Sequence, residues 1–266
     1  MPNNPRAASL DAILAVTRAR VAALKTRAAE LERGASTGAA PRPFPTPGAS
    51  VGVIAEVKRR SPSQGAIRED LDPVVHATAY ERGGAVAVSV LTDEAHFGGS
   101  IEDLRRVAAS ITVPVLRKDF VIDELQISEA RAAGASAVLL IARVLTPAQL
   151  DGLARAVRRR GMTPLIEVHA LRELDAALAA GPGVVVGVNA RDLDTFVVDL
   201  RAAEETVRRI PPEVTVVAES GIETHEDVER LARAGADFVL VGTSVARQTD
   251  PEKAVRALVG VKRQRR

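Results

Sequence analysis

Residues 53–65, VIAEVKRRSPSQG, open as an apolar run and then break into a loop of Arg, Ser, Pro and Gly. A run of this length and composition reads as a buried strand. Glu56 and Lys58 lie inside it. With the period of two that a strand imposes, they point the same way, Ile54 sits one step deeper on that side, and Val57 faces the other side. A carboxylate and an ammonium at the end of a buried strand cost free energy unless they pair or act on something. This strand alone leaves both readings open.

The same unit then recurs. Apolar runs at 53–58, 85–91, 113–117, 137–142, 163–168, 184–189, 214–218 and 237–241 alternate with amphipathic runs at helical spacing. Asp72, Thr146 and Asp250 each precede a proline, and Ser100/Asp103 and Thr224/Asp227 have the spacing of capping boxes, so all five mark helix starts. Strands apolar on both faces and separated by helices imply a parallel sheet covered by helices. Eight of them predict an α/β protein with the closed (β/α)8 TIM-barrel topology. A doubly wound sheet is the alternative, but no GxGxxG follows the first strand. Upstream, Leu10, Ile13, Leu14, Val21, Leu24 and Leu31 predict one amphipathic helix over 7–33 that packs onto the main domain. Residues 34–50, GASTGAAPRPFPTPGAS, read as a linker. The expected division is a helical extension over 1–50 and a barrel over 51–266.

Composition bounds the rest. A chain of 266 residues with 46% apolar content can bury a large core. Its longest apolar run, AVLLIA at 137–142, is too short to cross a bilayer, and no leader peptide is expected. There is no cysteine, which excludes disulfides, thiolate nucleophiles and cysteine-bound metal. His76, His96, His169 and His225 are too scattered for a metal site, so no metal is expected. His169 is assigned a surface or supporting place near the active end. A cytoplasmic protein, monomeric or weakly oligomeric, is the default.

The net charge of +2 and the pI near 9.3 are mild, with acidic and basic residues interspersed. Only the tail VKRQRR is a basic cluster. Lacking aromatic interleaving, it reads as a solvated tail and not as a nucleic-acid surface. Of 36 basic residues five are lysines, and two of these, Lys58 and Lys118, end buried strands. Arginine stays charged in proteins, whereas a buried lysine can shift its pKa into a working range. These two positions therefore point to proton chemistry.

A barrel builds its active site at the C-terminal ends of its strands. There the sequence places Glu56 and Lys58, then Ser89 through Phe97, then Lys118, Asp119 and Phe120. Further on come Glu167 and His169, Asn189 and Arg191, Glu219 and Ser220, and finally Gly242, Thr243 and Ser244. Such a concentration at one mouth favours a catalytic site over a structural ion pair. AESGI at 218–222 and VGTSV at 241–245 turn through glycine directly after the last two strands, where barrels commonly hold a phosphate. Ser61, Gly221, Gly242 and Thr243 are the candidate phosphate contacts, with Ser63 beside them.

The runs VIAEVKRRSPSQG, SVLTDEAHFGGS, VLRKDFVID, LIEVH, GVNARDL, VAESGI and FVLVGTSV, in that order, resemble the indole-3-glycerol-phosphate synthases of tryptophan biosynthesis. The resemblance covers nearly the whole chain, including the helical extension. It implies cofactor-free conversion of a small molecule, 1-(o-carboxyphenylamino)-1-deoxyribulose 5-phosphate, to indole-3-glycerol phosphate by ring closure, loss of carbon dioxide and loss of water. It also implies roles. Lys118 becomes the general acid of condensation, Glu167 an acid or base of dehydration, and Lys58 the holder of the substrate carboxylate. Glu56, Asn189, Glu219 and Ser220 orient hydroxyls and lysines, Arg191 is a carboxylate or network partner, and Phe97 and Phe120 flank the anthranilate ring.

Two positions depart from the family pattern. Gln64 stands where lysine is usual, with Arg59 or Arg60 as the expected compensation, and Leu125 stands where an aromatic is common. Rival readings are another phosphosugar enzyme on the same barrel, an isomerase or a Schiff-base aldolase, and a barrel that binds a phosphate ligand without turnover.

Overall fold

The computed structural model describes residues 9–264 and 266. Among these residues, eight parallel strands close into a barrel in chain order. They are β1 (Gly52–Val57), β2 (Ala87–Leu91), β3 (Val115–Lys118), β4 (Ala137–Ile141), β5 (Thr163–Val168), β6 (Val185–Asn189), β7 (Thr215–Glu219) and β8 (Phe238–Val241). Each pairs with its successor, and β8 closes on β1 through Ile54 opposite Leu240. The expected barrel is thus present, with strand ends within about two residues of those expected.

Alternation along each strand sorts the core into two parts. Val53, Ala55, Val57, Val88, Val90, Leu140, Ile166 and Val239 face outward into the layer between barrel and helices. Ile54, Leu116, Leu139, Leu165, Val217 and Leu240 fill the interior. The polar residues of the mouth continue the inward parity one repeat further: Glu56 follows Ile54, Lys118 follows Leu116, Glu167 follows Leu165 and Glu219 follows Val217. An apolar layer therefore floors a polar one.

The caps at Asp72, Thr146, Thr224 and Asp250 form as expected. Ser100 caps its helix, but Asp103 does not complete the box because its carboxylate takes Arg59 instead, at 2.6 Å. The N-terminal region departs from the single helix expected over 7–33, whose first two residues lie outside the described ones. It forms α1 (Leu10–Lys25) and α2 (Ala28–Thr37), separated at Thr26 and Arg27, so the linker begins at Gly38. Ile13 and Leu14 of α1 join the apolar cluster that contains Phe120 and the barrel interior. Both helices pack against the helix Glu124–Ala132 that follows β3.

The basic tail is not the solvated segment expected. Lys262 bridges to Ser50, Arg263 Nη1 donates to Asp237 Oδ1 at 2.7 Å, and Arg266 donates to the Gly235 and Val214 carbonyls. Asp237 is buried and also accepts the Val216 N–H, so its charge needs a cation, which the tail supplies.

Candidate active site

An open cleft of about 1150 Å³ occupies the C-terminal mouth of the barrel. Every site residue expected from the sequence lines it: Glu56, Lys58, Ser61, Phe97, Lys118, Phe120, Glu167, Asn189, Arg191, Glu219, Ser220, Gly221, Gly242 and Thr243. Strand register brings them together. Glu56 pairs with Ser89, Ile141 with Glu167, and Asn189 with Glu219.

The charged groups form two linked sets. Lys58 Nζ lies 3.0 Å from Glu56 Oε1, and the Ser89 hydroxyl reaches Glu56 Oε2 at 3.4 Å. Lys118 Nζ lies 3.2 Å from Glu167 Oε2 and 3.4 Å from Glu219 Oε2. Two glycines make room for these side chains. A β-carbon on Gly242 would come within 2.6 Å of Glu56 Oε1, and one on Gly187 within 2.3 Å of Glu219 Oε1. The sequence reading gave Gly242 to phosphate, but its position is also what admits the Glu56–Lys58 pair.

Burial and neighbours separate the protonation states. Burial works against the Lys118 charge, but Glu167, Glu219 and Glu56 outweigh it and hold the ammonium above the ordinary lysine range. The downward shift that makes buried lysines bases therefore does not occur here. Lys118 is a firmly charged donor. Burial likewise opposes ionisation of Glu167, yet Lys118 and His169 keep it below the usual carboxylate range. Glu219 goes the other way: burial, against Lys118 and with Glu167, pushes it up to about 8. The two carboxylates that share Lys118 are thus pushed in opposite directions, an arrangement that divides acid from base.

The remaining walls carry aromatic rings, an arginine and two glycine turns. Phe97 and Phe120 stand with ring centroids 6.4 Å apart at 41°, bordering the apolar part of the cleft. Arg191 is half-buried, its guanidinium donating to the Phe196 carbonyl, and burial lowers its pKa. Ser220 and Gly221 both adopt left-handed backbone, φ 70° and 72°, which for serine is strained. Ser244 Oγ donates to the Ile222 carbonyl at 2.9 Å and so fastens the two glycine turns together. Ser61 accepts the Gln64 N–H and anchors the loop after β1, whose ends pair as a two-residue hairpin, Arg60–Ser61 with Gly65–Ala66.

Two expectations need amendment. Neither Arg59 nor Arg60 compensates for Gln64, since Arg59 pairs with Asp103 and Arg60 donates to the Glu94 and Ala95 carbonyls. Arg247 does approach, donating to Gln64 Oε1 at 2.7 Å. His169 is not at the surface: its side chain is 2% exposed, against Glu167. Asp119 lines the cleft as expected and pairs with Arg20 and Arg117. Phe196 and Leu193, both lining the cleft, were not picked out, because on a loop nothing in the local pattern distinguishes them from linker residues.

The comparison with known proteins settles which barrel this is. The family model described as "Indole-3-glycerol phosphate synthase" matches residues 10–258. The chain belongs to that family. The synthase of Kineococcus radiotolerans is 51% identical over 79% of this chain and 76% of its own. That of Mycobacterium avium is 46% identical over 94% and 93%, and that of Geobacillus thermodenitrificans 46% identical over 82% and 86%. Among solved structures, a thiamine phosphate pyrophosphorylase from Pyrococcus furiosus aligns with TM-score 0.58 and 17% identity, covering 78% of this chain and 93% of its own. An N-acetylmannosamine-6-phosphate 2-epimerase from Clostridium perfringens aligns with TM-score 0.59 and 16% identity, covering 77% and 90%. At those identities the two share the fold alone with this synthase-family chain.

Proposed function

We propose that the cleft runs the indole-3-glycerol phosphate synthase reaction through Lys118 and Glu167, with Lys58 holding the substrate carboxylate. The observation that carries this reading is Lys118 Nζ at the strand ends, 3.2 Å from Glu167 Oε2 and 3.4 Å from Glu219 Oε2. When the anthranilate ring attacks the ketone carbon of 1-(o-carboxyphenylamino)-1-deoxyribulose 5-phosphate, negative charge develops on the ketone oxygen, and Lys118 gives it a proton. Loss of carbon dioxide restores the aromatic ring. The new hydroxyl then takes up a proton and leaves as water while the newly closed ring gives one up, and Glu167 carries one of these two protons as acid or base. Glu56, Asn189, Glu219 and Ser220 orient the lysines and the substrate hydroxyls. Ser61, Gly221, Gly242 and Thr243 take the phosphate, Arg191 serves the carboxylate side, and Phe97 and Phe120 border the aromatic ring.

On this reading the enzyme is a carbon–carbon lyase of the carboxy-lyase class. The barrel over 51–266 is its catalytic domain, the extension over 1–50 is the helical and Gly/Pro linker region that precedes it, and it works in the cytoplasm as a monomer or weak oligomer. Mixing enzyme with the substrate and following the rise of indole fluorescence tests the assignment. Folded, phosphate-binding protein that gives no signal would sink it, and borohydride trapping of a covalent adduct would turn the assignment to an aldolase.

A further inference from the structure

His169 follows the last residue of β5 and keeps the inward parity of Glu167. Its imidazole Nε2 lies 3.1 Å from Glu167 Oε1, the oxygen that Lys118 does not engage. Nδ1 lies 3.7 Å from Glu173 Oε2. That same oxygen accepts the His169 backbone N–H at 2.7 Å, which holds the turn after β5 in one shape. Two carboxylates thus face the ring, Glu167 from the strand and Glu173 from the 3-10 turn Leu171–Glu173. Arg172, 3.9 Å from Glu173 Oε1, and Arg143, from the turn after β4, act on Glu173.

A neutral imidazole carries one N–H and would turn a lone pair toward one of these carboxylates. Only the imidazolium suits both. Although burial disfavours the charge, Glu167 and Glu173 raise the ring to about 9. Nothing in the chemistry assigned to the cleft uses this buried cation.

We propose that His169, braced by Glu173, is a positioning residue for Glu167: it engages Oε1 and so fixes Oε2 as the oxygen presented to Lys118 and the substrate. This rests on the reading of Glu167 as the proton-handling group of dehydration. Its effect is electrostatic as well as geometric. While Lys118 is drawn to the ketone oxygen, His169 stays behind Glu167 and keeps the carboxylate ionised.

His169→Gln retains a donor near Nε2 without the charge, and Glu173→Gln retains an acceptor for the backbone N–H. In His169→Gln the acid limb of the kcat–pH profile should move up by about one unit. Plateau kcat should fall about tenfold with KM changed less than about twofold. The double variant should be no worse than His169→Gln, because Glu173 acts through the ring. An unmoved acid limb overturns the proposal, as does a double variant whose losses add.

Since a substitution at a buried site risks misfolding, the wild-type ring is also read directly by 15N NMR. A doubly protonated imidazole at neutral pH is expected, and a neutral one overturns the proposal. Glu167→Gln separates the two levels. Full activity there sinks the reading of Glu167 itself, whereas an inactive Glu167→Gln beside an unshifted His169→Gln sinks only the positioning role.

Discussion

Lys118 and Glu167, on β3 and β5, meet at 3.2 Å across the barrel mouth, with the carboxylate side chain 2% exposed. The strand between them ends in apolar Ile141, which leaves the gap across which the ammonium reaches. Replacing Lys118 by arginine keeps the charge but removes a donor able to release its proton, and substitutes a rigid fork for a point charge. Lys118→Arg should lose about a hundredfold or more in kcat, the range of a positioned general acid. Inorganic phosphate binding, followed by calorimetry, should stay near wild type. Near-normal turnover would count against the role.

Glu219, buried beside the same ammonium, titrates at about 8. As pH rises through that value a new negative charge enters the cleft and opposes an anionic substrate. KM should therefore climb on the alkaline side in wild type and stay flat in Glu219→Gln. Stability follows the same group. Its folded pKa is raised above the ordinary 4.5, so the fold favours the neutral acid, and stability is lost as pH climbs from 4.5 toward about 8. Urea midpoints measured on both sides of that window should show the slope in wild type and a smaller one in Glu219→Gln.

A charged contact joins the extension to the end of the catalytic strand. Arg20 of α1 donates to Asp119 Oδ2 at 2.6 Å and to the Thr92 carbonyl at 3.3 Å, directly beside Lys118. Asp119 is buried. Burial opposes its ionisation, but Arg117 and Arg20 hold it below the usual range, so its stabilising contribution is present above its unfolded pKa and lost as pH falls through the folded one. Arg20→Ala leaves Arg117 and Thr92 on that carboxylate and should cost about 1–3 kcal/mol. It should also raise the midpoint of acid unfolding. An unchanged acid midpoint would mean that Arg117 alone suffices.

The barrel and nearly all of the cleft were legible because period-two alternation carries its own geometry. Once Ile54 faces inward, Glu56 must, and the same holds for Lys118, Glu167 and Glu219 on their strands. Legibility ended where partners come from distant segments. The Arg59–Asp103 pair spans 44 residues and Arg20–Asp119 spans 99, and neither spacing leaves a local trace. Lys118 misled for the same reason. Burial alone predicts a lowered pKa, and only three carboxylates from other strands reverse the sign. His169 lay next to the motif, but its burial depends on the fold of the turn that carries Glu173.

The tail makes the last case. Arg263 donates to buried Asp237 at 2.7 Å and through Nε to the Gly48 carbonyl at 2.8 Å, joining the C-terminus, the linker and the start of β8 at the end of the barrel away from the cleft. Asp237 Oδ2 also takes the Val216 N–H, and Arg266 stands 3.6 Å off. Arg263→Ala strips the nearer cation from a carboxylate that burial has already cut off from water. Part of the charge remains matched by Arg266, so the loss should fall below the full cost of orphaning a buried charge, about 2 kcal/mol. Residues at the N-terminal face of a barrel act on stability rather than chemistry, so kcat and KM should not change. Urea unfolding read beside turnover checks both halves, and an Arg263→Ala midpoint equal to wild type would return the tail to solvent.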